Sequence, residues 1–390
     1  MTDNSIKTSE KINSDMEVSM TDRERFLNVM EFKPVDRYPN YELGVWGQTI
    51  ERWYSEGLPR DVCYWNWFEG EPYFEIDRRM FIPVNARIVP AFDEEVIEEN
   101  DRYIIFKDGI GRIRKAMKEG TVRGTRPSMD QYIDFPVKDR KSFEEIKKRY
   151  NPKSPIRYPM WWDEMVRLWR DRDYPLCLFV NGQIGFYWTL REWVGTENLS
   201  YMFYDDPILV HEMLDFIADF IIQLSTKALS SVQIDYFNFS EDFAGKGGPL
   251  ISPKIYKEFF APRVKRVVEH FQKYGVRYFW VDSDGNFEVL IPHMIEAGIN
   301  GIWPLEQAAG MDPIKLRKKY GKDIALLGGI DKRELTKDKA SIEKELYSKV
   351  PYLLEYGGYI PHLDHTFPPD IPYDNFLYYM ELKKKLLRGG

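Results

Sequence analysis

Five short apolar runs in the second half of the chain, DYFNFSED, RYFWVDSDG, GIWPLE, ALLGGID and GYIPHLDH, close on Gly, Pro or Ser together with an acidic side chain. Parallel strands in a barrel deliver their functional residues at their C-terminal ends, onto one shared face. The pattern therefore predicts that Asp242, Asp282, Asp284, Glu306, Asp331 and the Asp364–His365 pair converge on one mouth from positions scattered over more than a hundred residues. The fold class this implies is α/β, a (β/α)8 TIM barrel.

At 390 residues the chain has the length of one barrel carrying insertions. Its 43% apolar and 15% aromatic content excludes a disordered chain and points to an aromatic-lined pocket, although most such rings belong to a core. A net charge of −7, with no stripe of Lys and Arg interleaved with aromatics, argues against nucleic acid as a partner. Two cysteines, Cys63 and Cys177, supply neither a disulfide framework nor a multi-thiolate metal site. The first 20 residues are polar and read as a mobile tail, with no apolar stretch of signal-peptide or membrane-spanning length. A cytoplasmic protein without membrane contact is expected.

Residues 21–390 read as a single barrel. A short amphipathic helix over 21–30 precedes a first strand over Tyr38–Leu43, interrupted early by Pro39. Period-two segments separated by turn signals make 84–126 a β-hairpin excursion over the barrel rim. From 175 onward strand and helix alternate. PLCLFVNG is a buried strand ending at Asn181, and Asp206-Pro207 and Ser252-Pro253 are helix starts with a capping side chain and Pro at the first helical position. Further strands fall at about 235–239, 276–281, 299–303, 324–328 and 357–361. That makes seven strands; the eighth lies between 60 and 170 without a signal that places it.

Asp282 and Asp284 stand two apart in VDSDGN, so in extended chain both carboxylates point to one side and suit a divalent cation or a charged or hydroxylated substrate. Asp284-Gly285 is equally a plain acidic turn. His365, one of five histidines, follows a strand and is a candidate metal ligand or general base. His211 and His270 fall in helical patterns. Glu306 and Asp242 complete a possible N/O-ligand set that accepts Mg, Mn, Fe or Zn, a single His favouring Zn slightly. FAGKGGPLISP lacks the Gly-Lys-Ser/Thr ending of a phosphate loop, and its glycines instead let a loop pass close to a ligand.

The segments FKPVDRYP, DYFNFSEDFAGKGGPLISPKIYKEFFAP, VDSDGN, WPLEQAAGMD, LLGGIDKREL and HTFPPDIPYDNF resemble the uroporphyrinogen decarboxylase superfamily, in particular its cobalamin-dependent methyltransferase branch. The resemblance covers roughly residues 21 to 388. The family's decarboxylases carry an Arg-rich segment after the first strand, where this chain has NYELGVWGQTIERW with Glu42 and Trp46. The methyltransferase branch binds zinc through His-x-Cys and a later Cys; these places fall on Asp282-x-Asp284 and on His365.

The resemblance thus implies a metal-dependent methyltransferase with Asp282, Asp284 and His365 as ligands, to which the strand-end reading adds Glu306, with zinc as the ion and cobalamin carried by a partner protein. Harder ligands would suit an oxygen-bound small-molecule substrate such as a methyl ether. Asp282, Glu306 or Asp242 would do the catalytic work, and Tyr41, Glu42, Trp46, Asn181 and Trp188 would shape the substrate pocket. The alternatives are a decarboxylase or lyase acting on a small carboxylated substrate without corrinoid, and a non-catalytic binding protein.

Overall fold

The computed structural model describes residues 19–61, 67–123, 125–126, 129–179 and 183–389. Most of the expected tail, Cys63 and Asn181 lie outside the described residues. The strands in chain order are β1 (Met80–Phe81), β2 (Glu95–Glu99), β3 (Tyr103–Lys107), β4 (Ile113–Met117), β5 (Gln131–Asp134), β6 (Leu176–Leu178), β7 (Tyr236–Ser240), β8 (Ala244–Gly245), β9 (Gly248–Pro249), β10 (Tyr278–Asp282), β11 (Gly301–Trp303), β12 (Ala325–Leu327) and β13 (Tyr359–Ile360). Seven of them form one parallel sheet in the order β1-β6-β7-β10-β11-β12-β13, so each strand pairs with its successor, as helical crossovers require. The sheet curls into a TIM-barrel-like half-barrel.

Strand periodicity sorts the side chains. Phe237, Phe239, Phe279, Val281, Ile302 and Leu326 join the large outer core against the helices. Their neighbours Tyr236, Tyr278, Trp280, Trp303, Ala325 and Leu327 form a second, inner cluster. Phe26, on the helix Asp22–Met30, packs against Tyr236, Tyr278 and Trp280 at 5.0, 6.1 and 5.5 Å between ring centroids and so fills the N-terminal end of the curl. Thr21 and Glu24 form a capping box on that helix. Asp206 caps the helix Pro207–Ser231 by accepting from Leu209 N–H at 3.1 Å, and Ser252 accepts from Ile255 N–H at 3.2 Å.

The segment expected as the first strand, Tyr38–Leu43, is extended but is not a strand. Pro39 has no N–H to give a ladder, and the Leu363 N–H goes to the Glu42 carboxylate at 3.1 Å instead of to a backbone carbonyl. Among the described residues the segment's backbone-to-backbone hydrogen bonds are Tyr38 N–H to the Leu387 carbonyl and Asp77 N–H to the Asn40 carbonyl, each at 2.9 Å, and a parallel bridge joins Val45 to Phe367 just beyond it. The strand that could not be placed is β1, two residues long, too short to show any period. The 84–126 hairpin excursion is corrected to an antiparallel sheet of four strands, β2-β3-β4-β5, running on to Asp134.

Glu42 does not face a substrate pocket. Its fully buried carboxylate pairs with Lys383 Nζ at 2.6 Å and accepts from the Tyr379 hydroxyl at 2.6 Å, while Lys383 also donates to the Tyr41 carbonyl at 2.7 Å. These bonds tie the extended 40–46 segment to the C-terminal helix Tyr373–Leu387. Burial pushes the Lys383 ammonium down from its usual range, and Glu42 opposes that shift. Lys383→Met leaves Glu42 buried and unpaired and is expected to cost about 3–5 kcal/mol in urea denaturation, whereas Glu42→Leu/Lys383→Met together should recover most of it.

Candidate active site

A cavity of about 510 Å³ is bordered by Ser240 and Asp282 at the C-terminal ends of β7 and β10, by Trp303 on β11, and by residues that follow these strands. Trp46, Phe68, Trp188 and Trp303 line it together with Glu241, Asp242, Asp282, Asp284 and His365. The inner-face parity that places Tyr278 and Trp280 inside the curl also turns Asp282 inward, at the last position of β10.

Among the described residues the Asp282 carboxylate has no hydrogen-bond or ion-pair partner. Burial raises its pKa well above the usual carboxylate range, and the nearby Asp242 and Asp284 carboxylates raise it further. The side chain opens onto the cavity, where water softens the effect; two like charges beside it still fix the direction. Asp242 adopts φ 49°, a left-handed conformation that Asp tolerates. Its carboxylate accepts from Asp284 N–H at 3.3 Å and pairs with Arg191 at 3.1 Å, and the Arg191 guanidinium lies 4.7 Å from the Trp188 ring centroid. Asp284 is also shifted up, by burial first, with His365 opposing; its Oδ2 is 3.7 Å from His365 Nε2. Thr366 Oγ1 accepts from Trp46 Nε1 at 2.7 Å and lies 2.9 Å from His365 Nδ1, which joins the 40–46 segment to the last strand end.

The remaining expected site residues fall elsewhere. Glu306 is not on the cavity wall: Leu305 at φ 64° takes the chain off the strand line, and the Glu306 carboxylate accepts from Gly285 N–H at 3.1 Å and lies 3.7 Å from Lys332. It braces the Asp284–Gly285 turn. Gly285 itself, at φ 77°, lies so close to the β8–β9 hairpin that a Cβ would sit 2.6 Å from the Ala244 carbonyl carbon and Gly245 N. Tyr41 is fully buried in the inner cluster, its ring 4.3 Å from the Arg79 guanidinium. Asp331 pairs with its neighbour Arg333 at 2.7 Å.

The expected metal set is not assembled. Among the described residues no group of three or more His, Cys, Asp or Glu side chains is placed to hold a metal ion. Glu306 is turned to Gly285 and Lys332, and Asp242 to Arg191, while Asp284 and His365 approach each other to 3.7 Å. The donor geometry therefore does not fit zinc coordination by Asp282, Asp284, Glu306 and His365 together.

Glu241 is the functional-site residue that sequence reasoning passed over. The helix Phe186–Val194 starts after Gly185, where a Cβ would lie 1.8 Å from the Ser240 carbonyl oxygen, so its cap position cannot carry a side chain. The buried Glu241 carboxylate replaces the missing cap, accepting from Phe186 N–H at 3.0 Å and Tyr187 N–H at 2.7 Å. Only its adjacency to Asp242 in SED hinted at it. Burial pushes its carboxyl up to about 7 against those hydrogen bonds. The native chain then holds more protons than the unfolded chain between the ordinary value of 4.5 and about 7. Stability from this group falls as pH rises through that window, by on the order of 3 kcal/mol at most. Thermal denaturation from pH 4.5 to 7.5 should show this negative slope in the native chain, and Glu241→Gln should flatten it.

The uroporphyrinogen decarboxylase (URO-D) family model matches residues 120–386. Among curated proteins, the uroporphyrinogen decarboxylase of Hydrogenovibrio crunogenus is 25% identical over 259 residues, covering 61% of this chain and 66% of that one. That of Nautilia profundicola is 25% identical over 243 residues, covering 58% and 65%. The chain thus spans slightly less than two thirds of the length of these relatives. A solved methyltransferase from Methanosarcina mazei superposes with a TM-score of 0.56 over 94% of this chain and 99% of its own, at 13% identity, a likeness of fold. No described helix is long and apolar enough to cross a membrane. With a family model matched over well more than half its length, this chain belongs to the uroporphyrinogen decarboxylase family.

Proposed function

We propose that the chain is a methyltransferase that cleaves the methyl–oxygen bond of a small methyl ether and passes the methyl group to a corrinoid carried by a separate protein. The observation that supports it is the position of Asp282: a carboxyl at a strand end, facing a cavity, without a hydrogen-bond or ion-pair partner among the described residues, and shifted towards its protonated form by burial and by Asp242 and Asp284. A protonated carboxyl is a general acid, and breaking an ether bond near neutral pH requires one at the departing oxygen.

The corrinoid supplies the nucleophile that takes the methyl group. Everything else falls to this chain. Trp46, Phe68, Trp188 and Trp303 offer ring surfaces that bind the apolar part of the ether and exclude water. Asp282 gives its proton to the ether oxygen as the carbon–oxygen bond breaks, so the product leaves as a neutral alcohol or phenol. Asp282, left as a carboxylate, regains a proton from solvent. Arg191 holds Asp242 in place, and Glu306 and Lys332 hold the turn that carries Asp284.

The curated relatives are named for a decarboxylation, and the lining bears on that comparison. Four carboxylic side chains face the cavity against Arg126, which is itself paired with Asp130 at 2.6 Å, and His365. Such a wall offers a substrate carrying many carboxylates little cationic surface to bind. The discriminating assay offers methoxylated compounds and free cob(I)alamin to the purified chain. Methyl transfer is expected, with Asp282→Asn slowing it about 10²-fold or more, since the amide keeps the shape and has no acidic proton. Carbon dioxide release from a carboxylated substrate without methyl transfer, or full activity of Asp282→Asn, would overturn the reading.

A further inference from the structure

Beyond Trp188 lies a second cavity of about 630 Å³, which meets the first at Gln183, Trp188 and Asp242. Trp188 and Asp242 line both, and the Arg191 guanidinium that pairs with Asp242 rests over the Trp188 ring. Its lining includes Arg114 on β4 and Tyr132 on β5 of the antiparallel sheet, with Asp108 and Arg112 from the turn between β3 and β4.

The two cavities differ in chemistry. In the first, carboxylic groups dominate. In the second, Asp108 pairs with Arg112 at 2.9 Å and with Arg114 at 3.3 Å, Glu192 with Arg112 at 3.0 Å, and Asp242 with Arg191 at 3.1 Å. The remaining charged residues, Arg87 and Glu94, are exposed and of opposite sign. The second cavity is therefore balanced in charge and offers no net attraction for an ionic ligand. Its distinguishing surface is flat: the Arg112 and Arg114 guanidinium carbons each lie 5.2 Å from the Tyr132 ring centroid, and Tyr132 stacks on Phe135 at 6.0 Å. Planar guanidinium and aromatic groups recognise ring systems in preference to flexible chains.

We propose that the second cavity is the subsite for the non-reacting part of the substrate, and that the substrate is an uncharged aryl methyl ether. Its methoxy group would lie in the acidic cavity and its ring system would pass Trp188 onto the Tyr132 wall. This rests on the methyl-transfer reading for its reactive end alone; the binding it asserts is measured without turnover. It also gives the four-stranded sheet a role, as a specificity wall.

The test is calorimetric titration of the full chain, without corrinoid, by 2-methoxynaphthalene, by heptyl methyl ether as a chain of similar reach, and by 1,2-dimethoxyethane as a ligand small enough for the first cavity alone. The two-ring ether is expected to bind at least about tenfold tighter than either aliphatic ether. Ala91→Trp, which fills the second cavity from an exposed loop position, and Tyr132→Ala, which removes its flat wall, should each weaken the two-ring ether about fivefold or more and leave 1,2-dimethoxyethane unchanged. Using two variants from different elements guards against one failing to fold. Equal binding of all three ethers, preference for the heptyl ether, or a two-ring affinity untouched by both variants would overturn the proposal. If the binding pattern holds and no methyl reaches cob(I)alamin, the methyl-transfer reading fails and the subsite stands.

Discussion

A curled parallel sheet has two edges, and here the gap between them depends on a buried charge pair. The chain just before β1 and the chain after β13 both reach the 40–46 segment, which contributes few backbone hydrogen bonds of its own. Glu42 supplies what the missing ladder does not, taking the Leu363 N–H and binding Lys383 and Tyr379 on the last helix. Such a pair adds little net stability compared with well-packed apolar residues. Its effect is positional: it fixes segment 40–46 against the strand ends, and through it Trp46, whose indole reaches Thr366 beside His365.

From that frame the character of the cavity follows by electrostatics. Three aspartates converge where Arg191 and His365 are within pairing distance of Asp242 and Asp284, and Asp282 is left over. A carboxyl in that position is shifted upward, because burial penalises its charge and the Asp242 and Asp284 carboxyls lie beside it. The neighbouring Glu241 shows the same burial effect put to a structural use, capping a helix whose own cap position admits nothing larger than glycine.

What could be read in advance divides along geometry. Strand ends and helix starts were legible, because Asp206-Pro207, Ser252-Pro253 and the apolar runs carry local signals that act over a few residues. Asp282 was legible as an inward residue because β10 stays extended up to it, and period-two parity survives that far. Glu306 was not. One left-handed residue, Leu305, breaks the parity between the strand and the carboxylate, and sequence carries no sign of where the side chain goes afterwards. Tyr41 and Glu42 misled for a related reason: in an irregular extended segment neither face is set by alternation, and their direction is chosen by Arg79 and Lys383 from distant parts of the chain.

The sequence by itself determined the alternation of strands and helices, the acidic strand ends and, through shared motifs, the family. These are properties of short windows, where propensity, capping and periodicity act. Tertiary structure alone decided which acids face one another, that the expected metal set is not gathered, that Glu42 closes the sheet rather than lining a pocket, and that a second cavity opens behind Trp188. Each of those depends on pairings across tens to hundreds of residues, such as Glu42 with Lys383 or Asp242 with Arg191. Burial and charge neutralisation select such partners only after the chain has folded.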